Sequence, residues 1–134
     1  MTFTPSLFLR RALLLDALAT GATGILLVGG TGILQNLLNL PASLMTYAGI
    51  FCLAWAAVVA FAGTRQTLSR AFVWAIIAGN AVWAIDSILV LVSGYVAPTA
   101  LGYAFVIAQA LVVGVFAELQ YIGLKRSVPQ NARA

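Results

Sequence analysis

Residues 42–63 read ASLMTYAGIFCLAWAAVVAFAG, a stretch with no charged and no amide side chain. At ~1.5 Å per helical residue it measures about 33 Å, enough to cross the hydrocarbon of a bilayer. A soluble helix of this length would keep a polar face for water, and this one has none. The stretch is therefore read as a membrane span. Gly49, Cys52, Ala56, Ala60 and Gly63 recur at intervals of three and four within it. They form a small-residue stripe on which another helix can approach closely.

Working outward, the polar loop Thr64 to Arg70 is short and doubly basic, and predicts a tight antiparallel hairpin with a next span at 71–93. Gly94 to Pro98 reads as an uncharged turn, followed by a span at 99–124 that ends in Lys125 and Arg126. On the N-terminal side a span at 7–29 contains Arg10 and Arg11. The following segment, Ile33 to Pro41, reads as a short amphipathic helix lying at the interface. All seven basic residues fall at one side of this threading: Arg10, Arg11, Arg65, Arg70, Lys125, Arg126 and Arg133. Basic residues flanking a span are retained in the cytoplasm. The expected fold is thus all-α, a left-handed transmembrane four-helix bundle with both termini cytoplasmic, residues 1–134 forming a single integral membrane domain.

Composition agrees, with 63% hydrophobic and 7% charged residues and a mean hydropathy of +1.05. A soluble domain of this size could not hide so much apolar surface. The net charge of +4 is assigned to orientation and to contacts with anionic lipid, not to nucleic acid. An Arg pair before an apolar run also opens some secretory signals, but three more spans follow it here. With no His and a single Cys, Cys52, no transition-metal site or haem ligand pair is expected, and no cofactor. No nucleophile and base can be paired in the sequence, so an enzyme is not expected.

The three acids divide by depth. Asp16 lies five residues past Arg11 and Glu118 seven before Lys125, about 8 and 10 Å in, whereas Asp86 lies sixteen past Arg70, about 24 Å in. The inner candidates are Asp16 and Glu118 with Thr20, Arg11, Arg70 and Tyr121. They are expected to pair with Arg10, Arg11, Arg70 or Lys125 and lock the helix ends, or else to exchange a proton or cation. The outer candidate site is Asp86 with Trp83, Asn80, Tyr47 and Tyr103. Asp86 either bonds a neighbouring span through a tyrosine or faces an outward cavity with Trp83 in its wall. Stripes of interior residues are expected along Asp16, Thr20, Thr23 and Gly24, along Gly79, Trp83, Asp86 and Val90, and along Ala110, Gly114, Ala117, Glu118 and Tyr121. Trp55, Trp74, Tyr95 and Tyr121 read as packing groups and interfacial anchors.

The segments Val96 to Gly102, Phe116 to Tyr121 and Gly123 to Arg126, together with Leu15-Asp16-Ala17, resemble a family of uncharacterised small bacterial four-span integral membrane proteins. The resemblance implies the bacterial cytoplasmic (inner) membrane and the same architecture, and brings no activity with it. Small multidrug transporters share the length and span number, but their first-span Glu would have to be replaced by Asp16. The expected function is a non-enzymatic accessory or small-ligand- or lipid-binding bundle. The alternative is a dimeric proton- or cation-coupled secondary transporter using the intramembrane carboxylates. Expected partners are membrane lipids and a possible homodimer or larger membrane complex.

Overall fold

A computed structural model describes residues 2–129. Four long helices dominate it: α1 (Leu7–Gly29), α3 (Ala42–Thr64), α4 (Arg70–Val92) and α5 (Ala100–Arg126), with a short α2 (Thr31–Leu38) after the first. All four are long and apolar enough to cross a membrane. Ser6, Ser69 and Thr99 open α1, α4 and α5 by accepting the backbone N–H of Leu9, Phe72 and Gly102, which relieves donors that have no partner within the helix. Asn39, at φ 52°, ends α2 in the left-handed conformation that Asn tolerates.

The order in space departs from the order in sequence. α1 packs on α3 and on α5, and α5 packs on α4, giving α3-α1-α5-α4. Glycines set the closest approaches. A Cβ on Gly24 would come 2.9 Å from the Gly49 carbonyl oxygen, and one on Gly123 would come 2.7 Å from Leu9 Cα. The expected tight hairpin between the second and third spans is not found, because α3 and α4 do not pack backbone to backbone. Bulky aromatic side chains stand between them. Trp55 lies over Gly79, and Phe51 stacks on Trp83 with ring centroids 5.3 Å apart.

Three very short strands close one end of the bundle, an element that period-2 patterning could not reveal at this length. β1 (Thr2–Thr4) pairs antiparallel with both β2 (Leu68–Ser69) and β3 (Val128–Pro129). Both chain ends of the described region and the α3–α4 connection therefore share one face. Arg10, Arg11, Arg65, Arg70, Lys125 and Arg126 lie toward this end, while Arg133 falls outside the described residues. At the opposite end α2 is tied to the start of α5, where Thr99 donates through its N–H to the Leu38 carbonyl and through its hydroxyl to that of Leu37.

Two apolar clusters form the interior. The first, at the sheet end, includes Phe3, Leu9, Leu13, Val59, Val73 and Leu124; the second, beneath α2, includes Leu27, Leu38, Met45 and Leu91. Polar groups and open space occupy the level between them.

Candidate functional site

Asp16 is fully buried, nine residues into α1 and thus about 14 Å along it, near mid-helix. All its partners are neutral. Its Oδ2 accepts N–H bonds from Asn80 at 2.8 Å and Gln120 at 2.6 Å, and its Oδ1 accepts the Thr20 hydroxyl at 2.9 Å. The direction of these bonds is set from outside the trio. An indole N–H can only donate, and Trp55 Nε1 donates to Asn80 Oδ1 at 3.1 Å. That forces the Asn80 amino group toward Asp16 and toward Gln120 Oε1, which it reaches at 3.0 Å. Gln120 must then present its own amino group to Asp16. One residue from each of the four long helices thus joins a chain of donors ending on a carboxylate.

A second network lies farther along. Trp83 Nε1 donates to Gln109 Oε1 at 2.9 Å, and Gln109 Nε2 donates to Ser87 Oγ at 2.9 Å. The two networks border two cavities, of about 270 Å³ and 360 Å³, each walled by all four long helices. Thr20, Trp55 and Asn80 line the smaller one, and Tyr47, Asp86 and Ser87 the larger. Thr23, Phe51, Trp83, Phe105 and Gln109 face both, so the two cavities are adjacent halves of one cleft region with a shared wall, beside the gap between the α3 and α4 backbones. Phe51 stacks between Trp55 and Trp83, with centroids 5.9 and 5.3 Å away and ring planes 14° and 4° apart.

The structure regroups the candidates read from the sequence. Asn80 belongs with Asp16 and not with Asp86. Asp86, Trp83 and Tyr47 do share a cavity, with Asp86 exposed at its rim, whereas Tyr103 is not among the residues lining it. Glu118 does not join Asp16. It is exposed and sits two residues from Gln120, about 200° around α5 by helical geometry. The buried face of α5 runs through Ala110, Ala117, Gln120 and Leu124; of the expected stripe Ala110 and Ala117 face inward and Gly114 is half-buried, whereas Glu118 and Tyr121 are exposed.

Among the described residues, no basic side chain serves Asp16 either. Arg10 donates to the Gly63 carbonyl at 3.0 Å, and the Arg70 guanidinium stands over Phe3. Lys125 lies over Tyr121, which also contacts Trp74, and Arg11 is exposed. Among the described residues, no group of three or more His, Cys, Asp or Glu side chains could hold a metal.

Gln120, Gln109 and Trp55 are the site residues that the sequence reading left out. Gln120 lies five residues before Lys125, at the same depth as Asp16 relative to its basic flank. That equality of level was the available signal. The chain matches no family model, no curated protein and no solved structure, so the chemistry of the cleft stands on its own geometry.

Proposed function

We infer that this membrane-embedded helical protein is a non-enzymatic binder of a small amphipathic molecule, which it holds in the cleft beside the α3–α4 opening. The carrying observation is the cleft itself: about 360 Å³ in its larger part, with aromatic walls, a few hydrogen-bonded polar groups and residues from every long helix. Concave, mainly apolar sites with a few placed polar groups are the usual form of small-ligand sites. The basic flanks at the sheet end favour both termini in the cytoplasm. The sequence resemblance adds a bacterial inner membrane as the setting, with lipid and a possible second copy as partners.

Native mass spectrometry of protein extracted in mild detergent tests the reading. A retained small molecule is expected in the wild type and not in Ala48→Phe, whose ring would fill the larger cavity that Ala48 lines. Identical spectra for a folded Ala48→Phe would remove the cleft as the site.

A second reading, proton- or cation-coupled transport by a dimer, draws support from Asp16, a carboxylate held only by neutral groups and bonded to two residues of the cleft wall. Flux in proteoliposomes separates a carrier from a binder.

A further inference from the structure

We propose that the cleft selects an organic monocation with an apolar body, a deepening that rests on the binding reading above. The larger half of the cleft is electrically one-sided. Asp86 lines the larger half, and no Lys or Arg is among the lining residues of either. Behind the smaller half stands Asp16, linked by single hydrogen bonds to Thr20 and Asn80 of the wall. Its partners are neutral, and no basic side chain is bonded to it among the described residues. The cations of the first three spans' flanks lie at the sheet end, where Arg10 holds the Gly63 carbonyl, Arg65 stands over Phe61, Arg70 stands over Phe3 and Arg11 is exposed. Arg70 begins α4, so Asp86 lies about 24 Å farther along that helix.

The wall chemistry narrows the class. Trp55, Phe51 and Trp83 line the cleft; with Phe51 stacked between the two indoles, a cation would meet the outer face of an indole, and such a face attracts a cation most strongly where water is scarce. A hydrated metal ion would find too few oxygen ligands to replace its water. A phospholipid headgroup would bring a phosphate to a lining without a basic partner. An organic cation satisfies both features, with its charge near a carboxylate and an aromatic face and its body against Phe105, Val106 and Leu44.

Three probes of the same shape class test this on the full chain in a non-ionic detergent: phenyltrimethylammonium, its neutral isostere tert-butylbenzene, and benzenesulfonate. Binding is read by calorimetry and by saturation-transfer NMR. The cation should bind saturably and at least about tenfold more tightly than the other two, a difference of ~1.4 kcal/mol. Asp86→Asn, a change at an exposed position, should remove most of that preference, and Asp16→Asn should reduce it. Tighter or equal binding of tert-butylbenzene would overturn the cation class and leave the cleft reading intact. If none of the three saturates, the cleft reading itself falls. An unchanged preference in both variants would show that the carboxylates do not set it, which also overturns the proposal.

Discussion

The Trp55 indole N–H meets the Asn80 side-chain oxygen at 3.1 Å, joining the two consecutive spans whose backbones stay apart. This contact does two things at once. It bridges the open side of the bundle, and it fixes which way every amide of the buried network points, because the indole has no acceptor with which to tolerate the opposite arrangement. The ring also lies over Gly79, so the absence of a side chain there is what lets the indole reach Asn80.

Replacing Trp55 by Phe keeps most of the ring and removes the donor. The loss of one hydrogen bond between membrane helices averages about 0.6 kcal/mol, with an upper range near 1.7. A small drop in melting temperature in detergent is expected for Trp55→Phe, and a larger one for Gly79→Leu, whose side chain would displace the ring. Equal melting of wild type and Gly79→Leu would show that the indole does not need this seat.

Two glycines on one helix should respond in opposite ways. In α5 a Cβ on Gly123 would press on the Cα, Cβ and N of Leu9, mostly backbone that cannot yield, while one on Gly114 would meet nothing within 4 Å. Gly123→Ala should therefore destabilise by about 1–3 kcal/mol, the usual cost of overpacking. Gly114→Ala should be neutral or slightly stabilising, since Ala is the better helix former by about 1 kcal/mol. Thermal melts of the two variants check the pair, and a reversed order would contradict the α1–α5 seam.

The four spans were legible because length and apolarity alone define a membrane helix, and nothing in their connections competes with that signal. The stripes on the first two spans were legible too, since Asp16, Gly24, Gly49, Cys52 and Ala56 all turn inward. The neighbour order was not. The rule that consecutive helices pack together fails at α3 and α4, where Phe51, Trp55 and Trp83 hold the backbones apart, and no periodicity reports side-chain bulk across a gap. The site was half legible: a carboxylate inside a span announces itself, but its partners are amides. Charge pointed to Glu118, which is exposed on α5, and not to Gln120 two residues away.

The sheet end and the α2 end should lie on opposite sides of the membrane. With Cys52 replaced by Ser, a cysteine at Gln66 or at Asn36 places a thiol at an exposed position on either end. From outside intact cells an impermeant maleimide should label Asn36→Cys and spare Gln66→Cys until the membrane is opened. The reverse pattern would invert the orientation that the basic flanks imply.

The sharpest test of the buried network is the contrast between two changes at Asp16. In Asp16→Asn the side-chain oxygen can take the place of Oδ2 and keep both amide bonds, while the new amino group faces Thr20, whose hydroxyl can accept as well as donate. Only one bond reverses, so the variant should fold with a melting temperature near that of the wild type. Had a basic residue been the partner, the same change would have stranded a charge and cost far more. Asp16→Leu strands the Gln120 amino group in a buried setting, at about 1–3 kcal/mol for a group left unsatisfied, and leaves the Asn80 amino group with only its bond to Gln120 Oε1. Fluorescence-detected size-exclusion melting of the two variants should place Asp16→Asn close to the wild type and Asp16→Leu well below it. Equal, severe loss in both would mean that Asp16 is held by charge and not by this set of neutral donors.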